Sequence, residues 1–132
     1  MPPETRARSA TLRHRDWLGA HERRVRLRAA WAHFFREHGV LLCPATPTAA
    51  IAHDRSEPMA KRVFRVNGNA GPYTDQLAWA GLIGMALLAS TVAPAGRTNA
   101  GLPVGVQIVG PYLEDRTTIR FARLIAEAAG GF

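Results

Sequence analysis

With 132 residues, 47% apolar and 20% charged, the chain is one domain's worth of globular protein rather than a disordered tail. A single cysteine, Cys43, excludes an intrachain disulfide, and the leading MPPETRARSATLRHR lacks the apolar centre of a secretion signal, so a cytoplasmic location is the expectation. The net charge of +7 comes from sixteen Arg and one Lys, Lys61, against ten acids.

Residues 1–11 read as a flexible basic leader without periodicity. From Leu12 or Asp16 to His38 the pattern is helical, because Leu27, Trp31, Phe34 and Phe35 recur at three and four while Arg23, Arg24, Arg26, Arg28 and Arg36 occupy the remaining circumference. Gly39 is the expected stop. A basic face of this kind can hold nucleic acid or another anion through phosphate contacts. Asp16, Glu22 and Glu37 interleave with the arginines, which favours an ordinary solvated face. His14, His21, His33 and His38 read as surface residues of the same helix.

Val40 to Cys43 is a short apolar run closed by Pro44, and it predicts a buried strand. Cys43 and Thr46, at and just beyond its end, are the candidate pocket-wall residues, since ligands gather beyond strand ends in α/β sheets; a small buried hydrophobe is the preferred reading of Cys43, and loop capping that of Thr46 and Thr48. His53-Asp54 has no second His at ligand spacing, so a loop hydrogen bond is preferred over a metal or acid/base site. Ala52 to Asn69 shows no clear period, and Asn67 to Pro72 reads as a loop by composition.

Tyr73 to Leu88 predicts a helix with a face of Leu77, Ala80, Gly81, Gly84 and Leu88. Ser90 to Ala93 predicts a third strand, and Pro94 to Gly101 the turn that follows. The 21 residues Gln76 to Gly96 carry no charge, close to the length of about 20 a membrane helix needs. Gly81 and Gly84 dilute that run and Ser90, Thr91 and Pro94 end it, so a core helix entering a buried strand is the better reading. Val104 to Val109 then reads as a strand buried on both faces, with Gln107 requiring partners inside or looking into a cleft. Asp115 offers an N-cap to a last helix whose apolar face is Ile119, Ala122, Ile125, Ala126 and Ala129.

Two blocks carry a resemblance. GLPVGVQIVGPYLEDRTTIRFA, from Gly101 to Ala122, and HGVLLCPATPTAAIAHD, from His38 to Asp54, resemble the C-terminal end of the amidase-signature family, serine hydrolases that cleave carboxylic amides. Gly39 stands where many similar chains have Asp, and Leu87, Leu88, Ala89 and Ser90 stand where they read G-L-P-A. The resemblance spans residues 12–132, roughly the last quarter of a typical member, and implies an α/β fold with a mixed sheet flanked by helices. It also implies chemistry by a Ser nucleophile, a second Ser on a cis peptide bond and a Lys, set in a Gly/Ser-rich stretch.

No such stretch occurs here: the three serines are Ser9, Ser56 and Ser90, and Lys61 lies in an unrelated segment. No catalytic residue, metal or cofactor is therefore assigned. The expectation is a C-terminal fragment or subunit of an amidase that supplies strands and pocket wall, with a second chain carrying the catalytic segment, or self-association, as the implied partner. A small-molecule amide is the substrate of the assembled form. A basic nucleic-acid or anion-binding module, and a small membrane-associated protein using 76–96, are the competing readings.

Overall fold

The computed structural model describes residues 3–129 except 56. Pro3–Ala10 forms helix α1 and His14–Phe34 forms α2. Residues 1–11 were expected to lack regular structure; Pro suits a first helical turn, and Ala7, Arg8 and Ala10 are strong helix formers, so local propensity suffices. Helix α2 ends before Gly39. Arg36 N–H bonds His33 O (3.1 Å) and Glu37 N–H bonds Phe34 O (3.3 Å), a tightening that closes the helix ahead of the glycine.

Three strands make the main sheet, in the order β1 (Leu41–Pro44), β5 (Pro103–Gly110), β4 (Ala89–Arg97), and both pairings are antiparallel. The α/β build is as expected, while the parallel pairs that a mixed sheet needs are not among the described strands. Alternation sorts the side chains. Leu41, Cys43, Gln107, Val109, Ser90 and Val92 share one face, and Leu42, Ile108, Thr91 and Ala93 share the other. The first face meets α2 and α3 (Ala78–Ala86): Cys43, Val109, Ile83, Ala86 and Leu88 form the core, with Leu27, Trp31, Phe35 and Trp79 packed on it. The second face meets α4 (Asp115–Ala129). Ile108 and Val109 are both 0% exposed, so β5 is covered on both sides at this end.

The close seat of α4 depends on two residues. Gly110 lies under Thr118, where a Cβ would stand 2.7 Å from Thr118 Cγ2. The Thr118 hydroxyl donates to Asp115 O (2.9 Å) and stands 2.9 Å from the Thr91 hydroxyl on β4. The packed face of α4 runs through Thr118, Phe121, Ala122, Ile125 and Ala126. Ala122, Ile125 and Ala126 are as expected, while Ile119 (58% exposed) and Ala129 are exposed and Thr118 and Phe121 take the packed side, so the face is rotated slightly from the expected one. Asp115 is also the first helical residue rather than the cap: the Glu114 carbonyl accepts from Thr117 and Thr118 N–H.

Four further features differ from expectation. Strand β1 is a sheet edge in which only Cys43 is buried. The segment expected to be loop holds a hairpin, β2 (Val63–Val66) and β3 (Asn69–Pro72), turned at Asn67 and Gly68 with φ of 50° and 83°. An Asn-Gly pair with both φ positive is the turn whose twist matches paired strands. Strand β4 runs through Pro94 to Arg97, because an edge strand tolerates a residue without N–H and the register shift between Pro94 and Gly96 absorbs it. The 73–88 helix divides into a 3-10 turn at Tyr73–Leu77 and α3.

The α3 to β4 junction lacks glycine. Leu87 adopts φ 56°, ψ 40°, its N–H bonds Gly84 O (3.1 Å), and Leu88 N–H bonds Ile83 O (3.4 Å). These two bonds satisfy carbonyls of the last turn and send the chain directly into β4. A left-handed non-glycine residue costs about 1–2 kcal/mol, and Leu87 is 48% exposed, so its side chain recovers little of that by burial. Leu87→Gly is expected to raise stability by about 0.5–1 kcal/mol, and Leu87→Val to lower it by at least about 1 kcal/mol. Thermal midpoints at one fixed protein concentration check both.

Candidate functional site

At the end of β1 the chain passes from Pro44 into Ala45-Thr46-Pro47-Thr48. Two hydroxyls fix this loop: Thr46 Oγ1 donates to Thr48 O (2.6 Å), and Thr48 Oγ1 donates to Ala49 O (3.0 Å). The loop, with Val92 of β4 and Pro103 and Gly105 of β5, lines a cleft of about 340 Å³. It lies at the end of the sheet away from the core, where β5 changes from buried to partly exposed. Gly105 keeps the cleft floor low, since a Cβ there would stand 2.7 Å from Val92 Cγ1.

Thr46 therefore lines a cavity, while Cys43, also expected on the wall, does not line it and belongs to the core. The Cys43 thiol is buried in the core, and its Sγ lies 3.7 Å from Gln107 Oε1. Gln107, 6% exposed, donates from Nε2 to Ser90 Oγ at 2.8 Å. The three side chains lie on one face of three adjacent strands, so the amide crosslinks the sheet beneath the cleft. Burial pushes the Cys43 thiol up from its ordinary range, because the thiolate would lose its hydration there. That makes it a poor nucleophile.

Pro47 also borders a second, wider groove of about 720 Å³ whose walls include Thr74, Asp75, Leu77, Leu82 and Met85. Gly71 leaves room for the Asp75 carboxylate, since a Cβ there would meet Asp75 Oδ2 at 2.8 Å. The first cleft is lined by hydroxyls, prolines and aliphatic groups without a charged side chain, which suits an uncharged polar ligand.

Ser90 is held by Gln107, not by Lys61. The Ser90 partner is an amide, which cannot accept its proton. Lys61 closes an exposed 3-10 turn, Met59–Lys61, and Ser56 lies outside the described residues. Among the described residues no group of three or more His, Cys, Asp or Glu is placed to hold a metal ion. Of the helix histidines, His14 and His21 stack on Trp17 (5.8 and 5.1 Å between centroids) and His38 lies on Phe34. Arg26 pairs with Glu22 at 2.6 Å and Arg28 lies over the Tyr112 ring at 4.0 Å, so two members of the basic face are engaged within the chain. No helix among the described residues is long and apolar enough to cross a membrane.

Sequence reasoning missed Thr118 and Thr91. Each is a small polar residue inside an apolar pattern, and the only signal was that Thr118 falls on the same helical stripe as Ala122 and Ile125.

Comparison with known proteins places the chain in a family. A family model described as Amidase matches residues 3–119. Among curated proteins, the A subunit of the glutamyl-tRNA(Gln) amidotransferase of Chelativorans sp. (strain BNC1) is 36% identical over 92 residues, covering 70% of this chain and 17% of that protein. The protein of the same name from Brucella ovis is 34% identical over 99 residues with the same shares, and that from Mesorhizobium japonicum is 38% identical over 93 residues, 70% of this chain and 16% of that protein. The chain thus spans about a sixth of the length of the curated relatives it matches.

Two outcomes follow for the core beneath the cleft. Gln107→Leu removes the crosslink from Cys43 to Ser90 and is expected to cost about 0.5–1.5 kcal/mol, since the exposed Ser90 hydroxyl can turn to water, read from denaturant midpoints. With the folded-state thiol raised, the unfolded chain releases the Cys43 proton first as pH climbs. Stability is then full below the ordinary thiol range and falls as pH rises through it, and Cys43→Ala should flatten that slope.

Proposed function

The chain belongs to the amidase family, and from that premise we propose that it supplies sheet strands and one wall of a substrate pocket to an enzyme that hydrolyses the C–N bond of a carboxylic amide. The observation that carries this reading is the uncharged cleft at Thr46, held by a strand crosslinked through Gln107 inside a matched family segment. Thr46 is the wall residue, and Cys43 acts from behind it by fixing Gln107. The nucleophile and its base come from a Gly/Ser-rich segment outside these 132 residues, brought by another part of the enzyme or by a partner chain. The curated relatives are named as subunits, which supports an assembled setting. A cytoplasmic location belongs to the same reading.

The energetics of the surface support assembly. Leu42, Val92, Met85, Leu77 and Leu124 are all exposed, and β1 and β4 each have one edge without a strand among the described residues. Purified alone, the chain is expected to self-associate or to need a partner for solubility. A sharp, concentration-independent monomeric unfolding transition would argue against this.

For the chemistry, the chain by itself should neither hydrolyse simple aliphatic or aryl amides nor label with a fluorophosphonate probe. A covalent serine adduct on this chain would overturn the assignment of the nucleophile elsewhere. When the catalytic segment is present in an active assembly, Thr46→Trp should raise KM several-fold by filling the cleft, with a smaller effect on kcat.

A further inference from the structure

The β2–β3 hairpin does more than turn the chain. Because Val63 pairs with Pro72, the residues flanking that pair, Arg62 and Tyr73, stand side by side at its base. With His53, Asp54 and Arg55 they line a pocket of about 230 Å³ that shares no lining residue with the Thr46 cleft or the groove beside α3. We propose that this pocket binds a small oxyanion, a carboxylate or a phosphate, held by Arg62 with support from Arg55.

Arg62 is held in place before any ligand arrives. It is half-buried, its Nε donates to Glu57 O at 2.8 Å, and its guanidinium carbon lies 5.7 Å from the centre of the Tyr73 ring. One edge of the guanidinium is thus tied to backbone and one face leans on an aromatic ring. The Nη1 and Nη2 end remains, and its parallel N–H groups match two oxygens of one anion. A pre-positioned fork loses less side-chain freedom on binding than a free surface arginine would.

Charge points the same way. The ion pairs seen among the described residues join Arg15 to Asp16, Arg26 to Glu22 and Arg123 to Glu127, and none involves Arg55 or Arg62. Among the described residues Asp54 is the one carboxylate on the wall, and it has an interaction of its own within the chain. Two guanidinium groups against one carboxylate leave this lining positive. Anion binding here does not depend on the amidase reading, since it concerns different residues and requires no turnover.

The test is isothermal titration of the full chain with inorganic phosphate and, separately, with succinate, at low ionic strength in a zwitterionic buffer. Saturable binding by either is expected, and the tighter of the two identifies the source of the oxyanion. Arg62→Gln should weaken it about tenfold or more, the loss typical of a charged hydrogen-bond partner. Arg55→Gln should weaken it less. The decisive control is Arg65→Gln, which removes the same charge from an exposed position on β2 outside the pocket and should leave affinity within about twofold. Equal losses in the Arg62 and Arg65 variants would reduce the effect to net charge and overturn the site, as would the absence of saturable binding by both anions. Arg62 also braces the hairpin, so Arg62→Lys is compared as well. It keeps the charge but lacks the fork, and it should bind weakly while the hairpin amide resonances of residues 63–72 stay dispersed. Wild-type affinity in Arg62→Lys would remove the bidentate assignment.

Discussion

Ile108 and Val109 are neighbours on β5, they point to opposite faces, and neither has any solvent exposure, so a layer of helix must stand on each side of this strand. Most of the architecture follows from meeting that requirement with short elements. On one face α2 and α3 bring Leu27, Trp31, Phe35, Ile83 and Ala86 onto Val109 and Cys43. On the other α4 reaches Ile108 only because Gly110 has no Cβ and Thr118 finds a hydroxyl on β4. Burying a bare methyl instead of that hydroxyl pair would leave Thr91 to find another partner, so the polar contact fixes the axial position of α4 rather than adding much net energy.

The same strand is covered unevenly. Its last four residues are buried while its first is exposed and the next three are intermediate, and the cleft opens beside the uncovered part. One end of β5 is packed core and the other is surface beside the cleft. Gln107 stands at the transition. It is buried enough to require both its hydrogen bonds, one to Cys43 and one to Ser90, and close enough to the cleft residue Gly105 that its crosslink sets the spacing of the strands forming the floor.

How much of this was legible in the residues differs by element, for physical reasons. The β-branched run 104–109 bounded by glycine and proline, and the aromatic stripe of α2, are patterns that burial itself writes into sequence, and both appear where expected. The hairpin at 63–72 was hidden because its strands are four residues long and mostly exposed, so Phe64 and the half-buried Val66 were too few to mark the alternation of a strand. The rotated face of α4 was hidden because Thr118, the most buried residue of the helix, is polar, and its partner Thr91 is 27 residues away. That Thr46 borders a cleft and that Cys43 is a small buried hydrophobe are both local signals of a Pro-closed strand end. The partner of Cys43 was not legible, since it is Gln107, 64 residues on.

Leu87 shows how far tertiary constraint overrides local preference here. Helix α3 must stop and reverse into β4 within two residues, because Ala86 and Leu88 both belong to buried positions and Ala89 already pairs with Gly110. Only a left-handed residue at 87 closes the last helical turn and aims the chain that sharply, and the two backbone bonds to Gly84 and Ile83 are made even though the residue is not glycine. The strain is held by burial on both sides of it. A segment can keep such a residue only where its neighbours are already fixed, so the junction between α3 and β4 belongs to the rigid part of the molecule. The opposite end of the sheet, with the threonine-proline loop and the open beginning of β5, is less buried and so less constrained by its neighbours.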